Sequence, residues 1–224
     1  MNASSHPRRP VTADDVDAAV GAAVTALSVV HGDAWSVLAH GLEWTCWETV
    51  EHVCDDLFAY AGQIAPRTPP TTTHVPFAFH AKRTGGPNSS IFVEFDSGTD
   101  GLLQVLDACG AFLSALVRTT APQVRAHHIF GVSDPEGFAA MGILETLVHT
   151  YDVTRALDLP WAPDVDLCDR VLRRLFRDAP LDTPRWQTVL WCTGRGPLEG
   201  REPLTRWRWF GEPLPASDGD HADV

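Results

Sequence analysis

Four stretches of this chain repeat their apolar residues with the period of an α-helix, and segments rich in proline and glycine separate them. The first runs from Asp14 to about Val30, follows Thr12 as a cap, and ends near His31-Gly32. The second opens on Thr45-x-x-Glu48, a capping-box pattern, and places Val50, Val53, Cys54, Leu57, Phe58, Ala61 and Ile64 on one face. From Pro66 to Pro87 the pieces PRTPP, TTT and TGGP exclude regular structure, so a long excursion follows helix two, with room for a short strand at SIFVEF. Helix three spans Asp100 to Thr119. Pro122 and QVRAHHIFGVSDPEG break the period, Pro135 restarts it, and helix four runs from about Glu136 to Leu157, before Pro160. Beyond that, CDRVLRRLF reads as a helix, RWQTVLWC as a helix or strand, and TRWRWFG as a short strand. The expected fold is mainly α: a four-helix bundle over residues 12–158, with a small α/β C-terminal extension over 159–215 and flexible termini at 1–11 and 216–224.

With 224 residues and 44% apolar content, the chain can bury a substantial core. A net charge of -12 and scattered arginines argue against nucleic acid and anionic membranes as partners. Lys82 is the only lysine, a compositional bias rather than a site. The N-terminal arginines precede no apolar leader, and no run approaches the roughly 20 apolar residues that cross a bilayer, so a cytoplasmic location is expected. Cys46, Cys54, Cys109, Cys168 and Cys192 form no CxxC and lie in apolar segments, as buried free thiols do; Cys54 is the one that could be reactive. GxSxG, Walker A and GxGxxG patterns are absent.

Two segments offer metal ligands. In MGILETLVHTYDV, Glu145 and His149 stand four apart, which puts a carboxylate and an imidazole one turn apart on one helix face. Leu144, Leu147, Val148 and Tyr151 form the apolar stripe of that helix, and Glu145, His149 and Asp152 flank it. His52 on helix two would complete a three-ligand set of the kind that leaves a position on zinc for water or substrate. Asp152 or Asp56 could orient a ligand imidazole through its second nitrogen. Against this, His52 lies nearly opposite the apolar stripe of helix two, where a solvated histidine is expected unless the excursion or the extension covers that side. Arg155, one turn beyond Tyr151, could meet a substrate carboxylate or simply answer the helix dipole. His127-His128 and Trp207 and Trp209 could approach a pocket, or form a solvated loop and a packed edge strand.

These motifs resemble the DinB-like superfamily, in particular its mycothiol-dependent maleylpyruvate isomerase type of metal-binding domain. In that family a Trp-Thr pair opens helix two and a ligand histidine follows eight residues after the tryptophan, which here is Trp44-Thr45 and His52. The last bundle helix of the family carries Glu-x-x-x-His with aspartate three residues on, here Glu145, His149 and Asp152 in ETLVHTYD. The resemblance covers roughly residues 12 to 158. It implies a DinB-like bundle holding a divalent ion, usually zinc, that activates the sulfur of a small thiol such as mycothiol toward an electrophilic acceptor, in S-transfer or isomerisation. The alternatives are a DinB-like bundle with hydrolytic or other non-thiol chemistry, or a non-catalytic bundle that binds or oligomerises, for example as a homodimer.

Overall fold

Three of the four bundle helices begin where a side chain closes the first turn. In the computed structural model, which describes residues 8–204 and 206–214, α1 spans Ala13–Leu27, α2 Cys46–Ile64, α3 Gly98–Thr119 and α4 Pro135–Ala156. Thr12 and Asp15 form a reciprocal capping box on α1, and Thr45 and Glu48 form another on α2, with Thr45 N donating to Glu48 Oε2 at 2.8 Å. Asp134 accepts from Gly137 N at 2.8 Å, and Pro135 fills the first position of α4, where a missing N–H costs nothing.

The four helices form a bundle in which α1 and α2 each pack on both α3 and α4. This makes α2 and α4 neighbours, which brings His52 toward Glu145 and His149. Gly142 on α4 sits where three helices meet: a Cβ there would lie 2.5 Å from the Leu113 side chain and 3.0 Å from that of Leu57. Every residue of α4 from Gly137 to Leu144 is buried, so its expected one-sided stripe widens to the whole circumference. The cause is a third layer, α5 (Val165–Leu175), which packs on α4 and on α6 (Arg185–Cys192).

The excursion after α2 is ordered by polar side chains rather than by a sheet. Glu51 accepts from Val93 N at 2.8 Å and from the Lys82 ammonium at 3.1 Å. Asp55 accepts from Ser90 N at 2.6 Å and Ile91 N at 2.9 Å, and Gln63 accepts from Val75 N at 2.9 Å while donating to the Pro70 and Thr73 carbonyls. These backbone amides would otherwise feed a strand, and their use by α2 explains why SIFVEF is not one. Only a two-residue antiparallel pair forms, β1 (His80–Ala81) with β2 (Asn88–Ser89).

The C-terminal extension differs from its expected α/β character. RWQTVLWC is the helix α6, and among the described residues beyond 159 there is no strand. Instead of joining a ladder, Phe210 N donates to Leu175 O at 2.8 Å and Gly211 N to Phe130 O at 2.9 Å. The extension is also no separate unit, since Leu167, Val171, Leu175, Val189 and Trp209 belong to the same apolar cluster as the bundle. Arg174 is fully buried and ties the tail to α4, bonding Asp134 Oδ1 at 2.9 Å and Gly211 O at 3.1 Å.

At the other end, residues 8–11 are anchored rather than free. Arg8 pairs with Glu136, Val11 N donates to the same carboxylate at 2.9 Å, and Val11 is buried. The rest of the expected flexible termini, residues 1–7 and 216–224, lies outside the described residues, as does Pro215 at the end of the extension. The segment Phe95–Thr119 is long and apolar enough to cross a membrane by length and composition, which the sequence reading did not anticipate. In the bundle it buries Leu102, Leu103, Leu106 and Leu113 against its neighbours.

Candidate metal centre

His52, Glu145 and His149 converge: one ligand atom from each lies within 4.8 Å of the others. Within the set, His149 Nε2 stands 3.2 Å from Glu145 Oε2. Two ligand atoms bound to one tetrahedral ion at 2.0–2.1 Å would be about 3.3 Å apart, so this edge already has the length that zinc coordination needs. The His52 side chain is 21% exposed, so the condition under which it would not be a solvated histidine is met. Its face of α2 is covered by the excursion, because the helix buries Glu51, Asp55 and Gln63 on the side opposite its apolar stripe. Trp44 adds a lid over both imidazoles, with ring centroids 4.8 Å from His52 and 6.3 Å from His149. A tight loop holds that indole, in which Ala39 N donates to Trp44 O at 2.8 Å and Cys46 N to Val37 O at 2.8 Å.

Both imidazoles have a carboxylate on their second nitrogen. His149 Nδ1 is 3.0 Å from Asp152 Oδ2, which leaves Nε2 for an ion. His52 Nε2 is 3.2 Å from Asp56 Oδ2, and His52 Nδ1 is buried without a hydrogen-bond partner among the described residues. An orphaned nitrogen in a buried site is costly unless something fills it, and the His52 ring stands 5.1 Å from that of His149, centroid to centroid. The donor set therefore fits a divalent cation, and the cluster can hold one.

The residue that braces this arrangement comes from the extension. Arg195 grips Asp152 in a fork, Nη2 at 2.8 Å from Oδ2 and Nε at 3.0 Å from Oδ1. Its backbone is fixed by a Schellman motif at the end of α6: Gly194 adopts φ +69°, Gly194 N donates to Trp191 O at 3.1 Å, and Arg195 N donates to Leu190 O at 2.7 Å. Arg155, the basic residue singled out from sequence, is exposed and does not line the cavity beside the cluster. The corresponding sequence signal is the Gly194-Arg195-Gly196 turn, which carries no helical period.

Electrostatics follow the geometry. Burial pushes the His52 imidazole down to about 4, aided by the neighbouring His149, so it is a neutral donor. Burial opposes charge on His149 too, but the Asp152 and Glu145 carboxylates outweigh it and hold that imidazole above its ordinary value. Glu145 stays below the usual carboxylate range despite its burial, because His149 and His52 face it. Asp152 is likewise held down against its burial, by His149 and Arg195. Asp56 moves the other way, raised well above the usual range by burial and by Glu145 and Asp55.

A cavity of about 550 Å³ opens beside the cluster, with His52, Asp56 and Glu145 in its wall. Its other walls come from the segments hardest to read in sequence: the excursion supplies Val75 and Phe77, the loop before α4 supplies His127 and His128, and the tail supplies Trp209. His128 is buried rather than solvated, and it stacks on Trp209 at 5.6 Å. The five cysteines are free and buried, and none lines the cavity. Comparisons of the chain with protein-family models, with curated proteins and with solved structures find no match.

Proposed function

We propose that this chain is a DinB-like, zinc-dependent enzyme that activates the sulfur of a small thiol such as mycothiol for transfer to an electrophilic acceptor or for isomerisation of it. The observation that carries the proposal is the convergence of His52, Glu145 and His149 beside a cavity of about 550 Å³. A divalent ion held there lowers the pKa of a thiol ligand and so supplies a thiolate at neutral pH. If an ion displaced the proton that Asp152 and Glu145 favour on His149, the two imidazoles and one carboxylate would leave it a net positive charge, which would favour an anionic sulfur ligand. Asp152 and Arg195 fix the His149 ring so that Nε2 is presented, and Trp44 packs against the His52 ring.

The sulfur has to come from outside the chain. None of the five cysteines lines the cavity; burial raises Cys54 well above the ordinary thiol value and pushes Cys46 up to about 11 and Cys168 and Cys192 up to about 12, while Cys109 is held below its ordinary value by its hydrogen bond with Cys54. This removes the reactive role considered for Cys54. The proposal is tested by turnover of an electrophilic acceptor such as monobromobimane by zinc-loaded protein, with mycothiol, with glutathione and without thiol. The expected result is an enzyme-dependent rate with mycothiol that disappears in His52→Ala. A zinc-loaded protein that accelerates no thiol reaction overturns the proposal and leaves hydrolysis by metal-bound water, or binding alone.

A further inference from the structure

Away from the metal cluster, a second cavity of about 250 Å³ lies between the N-terminal segment, α5 and the connection to α6. Arg8, Arg173, Arg177 and Arg185 are half of the residues that line it, and no carboxylate lines it among the described residues. The chain as a whole carries a net charge of -12, so a pocket walled by the minority sign is a local concentration of positive charge. Asp178 and Asp182, on the connecting loop, are exposed and take no part in the wall.

Too few carboxylates answer these arginines. Glu136 takes Arg8 in a fork, Asp169 Oδ2 accepts from Arg173 Nε at 2.6 Å, and Glu212 Oε2 stands 3.9 Å from Arg177 Nη2. Arg185 has only the other oxygen of Asp169, at 3.4 Å from Nη1. Four guanidinium charges therefore share three carboxylates, and Glu136 also stands 4.0 Å from Arg174. Arg185 is 8% exposed, and its other donors bind the uncharged carbonyls of Pro180 at 2.6 Å and Thr183 at 2.8 Å. A buried cation that shares its single carboxylate is costly, and an anion in the pocket offsets that cost.

The pocket also keeps donors in reserve. Arg173 bonds through Nε alone, which leaves both of its Nη groups without partners among the described residues. Arg177 is held over the Phe210 ring, 5.0 Å from its centroid, and donates from Nη2 to the Glu212 carbonyl at 3.2 Å, with Nε and Nη1 uncommitted. Guanidinium groups fixed in this way present planar forks that match phosphate oxygens. The rest of the lining is apolar: Leu172 and Phe176 are buried, Ala179 is half-buried and Leu181 is 66% exposed. Since ligand pockets usually measure about 300–1,000 Å³, this one is too small for a nucleotide and suits one phosphorylated ring or short chain.

We infer that this pocket is a second ligand site, which takes a small phosphate monoester with an apolar body and does not depend on the metal cluster. A phosphate monoester carries nearly two negative charges and three acceptor oxygens at neutral pH, so it answers more than one of the arginines at once. Calorimetric titration of full-length protein with phenyl phosphate, benzoate and phenol at fixed ionic strength tests this. The His52→Ala, His149→Ala variant is titrated beside the wild type, because a phosphate can also ligate an ion at the cluster.

Phenyl phosphate is expected to bind with a Kd of about 1 mM or lower, benzoate at least about fivefold more weakly, and phenol not at all up to about 10 mM. The phenyl phosphate site should persist in the histidine variant. Replacing two exposed arginines, Arg173→Gln with Arg177→Gln, should weaken it at least about tenfold through lost charged hydrogen bonds. Arg206→Gln, equally exposed and outside the pocket, should change it by less than about twofold. The inference is overturned by an absence of phenyl phosphate binding up to about 10 mM, or by equal affinity for benzoate or phenol. An unchanged affinity in the arginine double variant, an equal loss in Arg206→Gln, or loss of the site in the histidine variant would overturn it as well.

Discussion

At the scale of single residues, the candidate centre depends on how firmly each imidazole is aimed. His149 is aimed by Asp152, and Asp152 in turn by Arg195, so this chain of hydrogen bonds reaches from α4 into the C-terminal extension. Arg195→Met is therefore expected to weaken zinc binding by about 10- to 100-fold, the usual cost of losing a group that orients a ligand, as measured by competition with a chromogenic chelator. Arg155→Ala should leave the affinity unchanged. If both variants bind zinc like the wild type, the forked contact is only structural. The Glu145, His149 and Asp152 triplet was legible in the sequence because the helix period alone places all three together. Arg195 was not, because a turn built on a positive-φ glycine puts it there. His52 was read on the right helix with its environment left open, since nothing local to α2 announces that Asp55 and Gln63 hold a loop over that face.

At the scale of elements, the excursion is held by side chains of one helix and not by its own secondary structure. Asp55→Ala removes the acceptor of both the Ser90 and Ile91 amides and should cost about 1–3 kcal/mol. Hydrogen exchange would show this as faster exchange at those two amides and at Val93, with α1 unaffected; uniform acceleration across the bundle would mean that the excursion and bundle unfold together. Helix α1 offers a pH test. Burial works to raise the Asp15 carboxyl, but Arg170 and the Thr12 backbone and hydroxyl outweigh it, so its pKa in the folded protein lies below the ordinary value. A lowered folded pKa means that Asp15 contributes its full stabilisation above the unfolded pKa of about 3.9, and loses it as pH falls through the folded value. The Tm difference between wild type and Asp15→Asn should accordingly shrink as pH is lowered from about 5 to about 3, and a constant difference would contradict this assignment. Both helix starts were legible, since Thr12 and Thr45 announce themselves by their spacing to Asp15 and Glu48.

At the scale of the whole molecule, the extension belongs to the fold and to the site. It covers α4, supplies Arg195 to the cluster and supplies Trp209 to the cavity. Sequence periodicity found the bundle but divided the chain after residue 158, because irregular segments held by single hydrogen bonds leave no repeating pattern to detect. Arg174→Ala would leave Asp134 and the Gly211 carbonyl without their buried partner, and a loss of about 3 kcal/mol is expected in chemical denaturation. A change below about 0.5 kcal/mol would show that the tail is not tied to the bundle as described.

The central claim is that His52, Glu145 and His149 hold one ion. Elemental analysis of full-length protein purified without a histidine tag should find one divalent metal per chain, with zinc foremost, and should find almost none in the folded His52→Ala, His149→Ala double variant. A wild-type protein that carries no stoichiometric metal after zinc incubation and desalting, or a double variant that keeps its metal, would contradict it.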